Sequence, residues 1–336
     1  MTVTFAKSSE SSIWILCDQG KIGTLRQCES LAQPFANKME VHIQSIAIDL
    51  PFWFRYLTPR LTRYLPEWLL PMSGFPDRKP VFVIAAGRQA LLLAAPLAKK
   101  IPTIVLLNPK CPLSYFSVVL PPEHDNVTSV SPHVIQTRGA LHPHNAESFR
   151  CGEDHKIKNV YTVSVLLGGD SRHHIYTEND FLIMAAYLNE KESSYRSGLT
   201  NFSLQVDTSA PKIRFLITSS RRTPAFGLDI LATHCANIDL TIWNGEGKNP
   251  YFTYLGVADE ILVTGDSISM ISEACYLGKP VIIWRLPIQN KRFLRFYESL
   301  IIHKHAAFHD VSKPDYFTPL RECERVLPQI LKILKI

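Results

Sequence analysis

The residues best placed to do chemistry lie in VTGDSISMISEACYLGKPV, residues 263–281. An apolar run ends at Gly265, and Asp266 and Ser267 offer capping oxygens to the helix that follows. Met270, Ile271, Ala274 and Leu277 give that helix one buried face, Gly278 ends it, and Pro280 opens the next strand. The N–H groups at such a helix start, with the hydroxyls of Ser267 and Ser269, suit a phosphate. Glu273 lies about two turns in, too far along to cap. It is either an ordinary solvated helix glutamate or a carboxylate that accepts two hydrogen bonds from ribose hydroxyls.

Positioning this loop requires alternating strands and helices, and the chain supplies them. Apolar runs at 13–16, 41–48, 81–85, 101–107, 118–119 and 134–137 read as strands of a first half. Helices are expected at about 24–37 and from Gly87-Arg88 through Leu97. The polar stretch 148–159 reads as a linker. A second set follows, with strands at 160–167, 213–218, 240–243, 260–264 and 281–284. Helices are expected there at about 177–189, 225–236, 250–256 and 267–277, and a closing helix over 321–336. This alternation predicts an α/β fold of two Rossmann-like domains facing across a cleft, with ligands at the carboxyl ends of the strands. The expected domains are 1–155 and 156–310, with a tail over 311–336 that can cross back to the first domain.

Composition removes several classes. The 336 residues are 46% hydrophobic and 20% charged, enough for two cores and too apolar for disorder. Seven scattered cysteines with no C-x-x-C pair argue against a disulfide framework or zinc site and fit a reducing compartment. There is no long apolar run of membrane-spanning length, and MTVTFAKSSESSIW lacks a secretory layout. A cytoplasmic protein, with peripheral contact at the inner face of a membrane as an option, is the resulting expectation. G-x-G-x-x-G, G-x-x-x-x-G-K-[ST], H-E-x-x-H, G-x-S-x-G and D-x-D are all absent. The adjacent His173 and His174 read as a plain loop in preference to a metal site, since neighbouring histidines seldom face one ion.

The net charge of +6 is local. Residues 51–100 hold eight Lys/Arg and two acids, and the rest of the chain balances. A nucleic-acid footprint would be broader and more basic, so no nucleic-acid partner is expected. Within this block, PFWFRYLTPRLTRYLPEWLLP (51–71) predicts a helix capped at Thr58 with Pro59 at its first position. Leu61, Tyr64, Leu65, Trp68 and Leu69 fall on one face, with Arg60, Arg63 and Glu67 beside it and Pro66 interrupting. That face either packs on the first domain or meets a bilayer interface.

The pattern of 263–281 resembles the donor-nucleotide motif of GT-B glycosyltransferases. Together with LLGGDSRHH (166–174), ITSSRRTP (217–224), WNGEGKNPYFTYLGVADEILVTGDSISM (243–270) and TRGALHPHN (137–145), it resembles the family of the plant elongated-mitochondria fission protein and its bacterial relatives. The resemblance runs through most of residues 11–300 and implies a GT-B fold with a nucleotide-sugar site. It places Gly168, Gly169, Ser171 and Arg172 near the phosphates of the donor, and Ser219, Ser220 and Arg221 in a second loop where a guanidinium grips the diphosphate. Asn249–Tyr254 would hold the base, and Asp266, Ser267, Ser269, Met270 and Glu273 the diphosphate and ribose.

On the acceptor side, CDQGKIGTLRQ (17–27) follows the first strand, with Lys21 and Gly23 in its loop. Asp18 is the candidate base, unless its carboxylate simply caps the following turn; His124-Asp125 and His142 are second choices. Arg88 could bind an anionic acceptor or form a structural ion pair. The expectation is therefore a metal-independent glycosyltransferase without cofactor. It would move sugar from a nucleoside-diphosphate donor to an envelope glycan or lipid-linked acceptor. A nucleotide-sugar epimerase or hydrolase, and a non-catalytic scaffold binding partners or membrane, are the alternatives.

Overall fold

The computed structural model describes residues 11–129, 131–142, 149, 155–200 and 212–336. The chain divides into two compact units, Met1–Pro143 with Arg321–Ile336, and His144–Leu320.

The first unit runs β1 (Ser12–Asp18), α1 (Ile22–Met39), β2 (His42–Ile48), α2 (Pro59–Thr62), β3 (Phe82–Ala86), α3 (Arg88–Leu97), β4 (Thr103–Leu106) and β5 (Val118–Leu120). Its sheet has the order β2-β1-β3-β4-β5, and every pair is parallel. The strands β3 and β4 are buried throughout, because a parallel sheet is covered on both faces. One face packs on Leu31 and Phe35 of α1, the other on Leu92 and Leu93 of α3 and on Phe54. A last helix, α9 (Glu322–Leu334), belongs to this unit and buries Val326 and Ile330 beside α1. Its first residue, Glu322, is buried; it accepts the Arg138 N–H at 2.8 Å and pairs with Arg325 at 2.7 Å.

The second unit runs β6 (Val160–Leu167), α4 (Glu178–Thr200), β7 (Lys212–Ser219), α5 (Ala225–His234), β8 (Leu240–Trp243) and α6 (Tyr251–Val257). It continues through β9 (Glu260–Thr264), α7 (Ile268–Ala274), β10 (Val281–Trp284), α8 (Lys291–Ile302) and β11 (Ala307–Phe308). Its parallel sheet has the order β11-β10-β9-β6-β7-β8, the doubly wound Rossmann order. Each unit therefore has one place where the strand order reverses, between β1 and β3 in the first and between β6 and β9 in the second.

Two α/β units of Rossmann type are what the sequence predicts, and the departures are local. The strand expected at 134–137 is reduced to isolated bridges at Val134 and Thr137, and β11 was not expected. The helix expected from Thr58 to Leu69 is a single turn, α2, followed by a short 3-10 turn at Glu67–Leu69, and the Thr58 side chain makes no cap hydrogen bond. Pro66 has no N–H to continue the ladder, and its backbone is extended. The helix α4 runs eleven residues beyond the expected 189. The helix α8 was not expected, although Phe293, Phe296, Tyr297 and Leu300 give it a buried stripe and Asn290 caps it. Much of the linker expected at 148–159 lies outside the described residues; of it, Phe149 is buried and stacks on Tyr276, with ring centroids 5.5 Å apart.

Candidate functional site

In the second unit the loops that follow β6, β7 and β9 meet at the reversal of strand order, where open α/β sheets bind ligands. Their meeting is held by Asp266, which is 5% exposed. Its Oδ2 accepts the Gly169 N–H at 2.9 Å and its Oδ1 accepts the Tyr176 hydroxyl at 2.8 Å. The Gly168 N–H donates to Thr264 Oγ1 at 2.7 Å. Packing here is too close for side chains. A Cβ on Gly168 would lie 1.9 Å from Asp266 Oδ2, and one on Gly169 would lie 2.2 Å from the Arg222 carbonyl carbon. Burial, and after it the negative Asp266, pushes the Tyr176 hydroxyl far above its ordinary value, so it stays a donor.

Asp266 was expected to cap α7 and to touch the donor. The cap is Ser267, whose Oγ accepts the Met270 N–H at 3.3 Å, while the Asp266 carboxylate turns inward onto the β6 loop. Helix geometry leaves the N–H groups of Ile268 and Ser269 without an intrahelical acceptor, and Ser269 is exposed beside them. Glu273, about one turn on from Ser269, is half-buried and accepts the hydroxyl of the half-buried Tyr251 at 2.7 Å. Burial raises that hydroxyl well above its usual value and the Glu273 charge adds to it, so Tyr251 also remains protonated.

The other expected donor residues divide into braces and exposed groups. Ser171 Oγ accepts the N–H groups of His173 and His174, forming a local turn. Ser219 donates to the Trp243 carbonyl at 3.2 Å, and Ser220 Oγ accepts the Arg222 N–H at 3.2 Å. Arg222 spans to the Asp170 carbonyl at 3.1 Å and keeps its charge, so this loop presents two exposed cations, Arg221 and Arg222. Arg172 is exposed and bonds His173 Nε2 at 3.0 Å. Asn249 Oδ1 accepts the Tyr251 N–H at 2.9 Å at the start of α6, and so orients the tyrosine that holds Glu273. The rings of His173 and His174 face different neighbours, Phe293 at 5.1 Å and Tyr176 at 4.7 Å.

In the first unit the loops after β1 and β3 meet at the corresponding reversal. Asp18 Oδ1 accepts the Ala90 N–H at 2.8 Å, so its carboxylate caps α3 across the sheet and not the turn that follows it. Gly87 makes room: its φ is +116°, and a Cβ there would lie 2.5 Å from the Asp18 carboxyl carbon. Lys21 is exposed at the start of α1, and Gly23 has no neighbouring atom within 4 Å of a built Cβ. Arg88 is exposed and donates to the Arg55 carbonyl at 3.4 Å, in place of an ion pair. The thiol of Cys17, next to this loop, is pushed up to about 11 by burial and by Asp18, so it is no nucleophile at neutral pH. His124 is buried on a 3-10 turn after β5, and the His142 carbonyl accepts from Cys323.

The family model "Mitochondrial fission ELM1" matches residues 22–334, nearly the whole chain. The chain belongs to the mitochondrial fission ELM1 family. Two relatives of this member have curated sequences. The mitochondrial fission protein ELM1 of Arabidopsis thaliana is 26% identical over 291 residues, which cover 76% of this chain and 64% of that protein. This ELM1-family chain thus spans just under two thirds of the plant protein's length. The uncharacterized protein RP120 of Rickettsia prowazekii (strain Madrid E) is 26% identical over 374 residues, covering 97% of this chain and 99% of that protein.

Among solved structures, the UDP-GlcNAc 2-epimerase of Methanocaldococcus jannaschii superposes with a TM-score of 0.51 at 13% identity, covering 96% of this chain and 99% of that one. The Neisseria meningitidis UDP-GlcNAc 2-epimerase bound to UDP-GlcNAc also gives 0.51, at 12% identity, with coverage of 96% and 99%. At such identity the likeness is one of fold, and the fold of this ELM1-family member is of the GT-B type. Sequence reasoning missed Tyr176, Thr264 and Thr223, whose hydroxyl donates to the Gly168 carbonyl and accepts the Ser220 N–H at 2.8 Å, as parts of the site. Tyr176 and Asp266 are 90 positions apart, so no local spacing announces the bond between them.

Proposed function

We propose that this ELM1-family protein is a glycosyltransferase whose second unit holds a nucleoside-diphosphate sugar. The sugar would pass to an envelope glycan or lipid-linked acceptor. The observation that carries the reading is Glu273, half-buried about a turn and a half into α7 and bonded by Tyr251, near a helix start with exposed Ser269. A carboxylate so placed can accept both hydroxyls of a ribose, while amide groups at the helix start and the Arg221 guanidinium meet a diphosphate. The positive charge facing the leaving diphosphate then comes from the chain's own Arg172, Arg221 and backbone N–H groups. Asp18 is the residue proposed to take the acceptor proton, with its orientation fixed by the Ala90 N–H.

Isothermal titration with a panel of nucleoside diphosphates tests the donor half. Binding that falls about tenfold or more in Glu273→Ala is expected, since a hydrogen bond to a charged group contributes ~1.5–3 kcal/mol. The absence of binding by every nucleoside diphosphate at millimolar concentration overturns it. The two epimerases of similar fold favour one rival, an epimerase that uses the same donor. Epimer formed from donor sugar without any acceptor would select that rival.

A further inference from the structure

We propose that the segment 52–69 of the first unit is a docking face for an anionic lipid bilayer. This inference holds whichever reaction the second unit performs.

The face is made of residues that an ordinary core would bury. Phe52, Trp53, Tyr56, Leu61, Tyr64, Trp68 and Leu69 are all exposed, Trp68 at 82% and Tyr64 at 73%. They are seven of the eighteen large hydrophobic side chains exposed among the described residues, gathered into eighteen consecutive positions. Scattered exposed apolar residues need no explanation, but such a cluster does. A helix packing its leucine face onto the unit would bury Leu61 and Trp68, and the structure leaves both in solvent.

The segment is anchored to the unit. Phe54, Thr62 and Leu70 point into the unit and are buried. Arg63 donates to the carbonyls of Ala95 at 3.1 Å and Tyr115 at 3.3 Å, and its guanidinium lies 4.4 Å from the Tyr115 ring centroid. Phe52 and Tyr56 meet edge to face at 5.0 Å. A segment whose backbone is anchored in this way loses little freedom on binding.

Charge chooses the occupant. Arg60, Arg78, Lys79, Lys99 and Lys100 are exposed. Glu67, next to Trp68, pairs with Lys100 at 2.6 Å and lies in the field of Lys79 and Lys99 as well, which holds its carboxyl below the usual range. Two acids, Glu67 and Asp77, among these five exposed cations leave the block positive. Trp and Tyr have an apolar body and a polar tip, and they settle at the headgroup level, where Lys and Arg meet anionic lipid. No helix among the described residues is long and apolar enough to cross a membrane, so the contact is one of lying on the surface.

Flotation of the full chain with vesicles of phosphatidylcholine, alone or with about a third phosphatidylglycerol, tests this. The wild type is expected to float with the anionic vesicles and to be released by salt. Trp53→Ser with Trp68→Ser should cut vesicle binding about tenfold or more, and Arg60→Glu with Lys99→Glu should cut it similarly. The melting temperature should stay unchanged in both, since all four side chains are exposed. The proposal is overturned if the wild type does not float, or if both double variants float as well as it does. A Trp68-dependent dimer that ignores vesicles overturns it as well, and assigns the face to a second copy of the chain.

Discussion

At each reversal of strand order, an aspartate after one strand rests against a glycine after its neighbour. In the first unit Asp18, ending β1, lies against Gly87 after β3; in the second, Asp266 after β9 lies against Gly168 after β6. The difference lies in how much of each carboxylate the chain consumes. Asp18 is half-exposed, and it accepts one backbone N–H as a helix cap. Asp266 is buried, and both of its oxygens are taken, by Gly169 and Tyr176. The same motif thus serves as a lock in the second unit and, in the first, as a cap that keeps an acid within reach of solvent. A buried lock suits a site that must be preorganised, and a half-exposed carboxylate suits proton transfer.

The largest expected effect breaks the lock itself. Gly169→Ala puts a Cβ 2.2 Å from the Arg222 carbonyl carbon, a backbone atom that cannot rotate away. A loss of about 3 kcal/mol or more in urea unfolding, with nucleotide binding abolished, is expected. Gly87→Ala should cost about 2–3 kcal/mol, through the clash with Asp18 and a φ of +116°. Part of that cost should return when Asp18 is also changed to Ala, because this neighbour is a side chain. Gly169→Ala has no such partner to remove. Equal costs at the two glycines, with no rescue, would dissolve the distinction.

The parts of this comparison that the sequence discloses are those encoded locally. The strands β6, β9 and β10 lie at the residues expected for them, because strands covered on both faces are written as continuous apolar runs, and the partly exposed edge strand β8 also lies where its apolar run predicts. The glycine-bearing loops follow from those strand ends. What could not be read was the direction of a carboxylate. Asp266 and Ser267 are both good caps, and only the tertiary contact with Gly169 and Tyr176 turns Asp266 inward. Tyr251 reaches Glu273 across 22 positions and carries no spacing signal. The turn at 59–69 failed for a different reason. The apolar face there has helical spacing, but Pro66 stops the ladder and solvent, not a core, meets the face.

Substituting the two aspartates sharpens the contrast. Asp266→Ala strands the buried Gly169 N–H and Tyr176 hydroxyl, each unsatisfied group costing ~1–3 kcal/mol, and should lower stability by about 3 kcal/mol. Asp18→Ala removes one cap, for about 1 kcal/mol. Asp18→Asn is the more telling change, since asparagine caps as well as aspartate but cannot take a proton. Stability within about 0.5 kcal/mol of wild type, with sugar transfer reduced by roughly 10²-fold or more, is expected. If Asp18→Asn transfers sugar at the wild-type rate, Asp18 is only a cap, and the two loops differ in burial but not in chemistry.

The last contrast vanishes at neutral pH and grows as the solution is made alkaline. Seven tyrosines have hydroxyls raised above their ordinary value, with burial the largest cause at each: Tyr161, Tyr176, Tyr187, Tyr195, Tyr251, Tyr254 and Tyr297. All seven belong to the second unit. In the first unit, apart from Arg325, whose bond to Glu322 raises it, the raised groups are thiols, Cys17 and Cys111 to about 11, Cys323 to about 12, and Cys28. Among the described residues, the second unit adds Cys235 and Cys275 to these. A raised group keeps its proton in the folded chain and releases it from the unfolded chain at the ordinary value. Its stabilising contribution is complete below that value and is lost as pH rises through the folded one. Thiols ionise in unfolded chains near pH ~8.5 and tyrosines near ~10. Both units should therefore begin to weaken near pH ~8.5, the first more steeply because it holds more raised thiols, and the second should steepen above pH ~10. Buried tryptophans provide separate reporters, Trp14 on β1 and Trp284 on β10, in single-tryptophan variants unfolded by urea between pH 8 and pH 11. Tyr251→Phe should flatten the Trp284 curve above pH ~10 and leave the Trp14 curve unchanged. Parallel decline of the two midpoints from pH 8 upward would show that the units unfold as one.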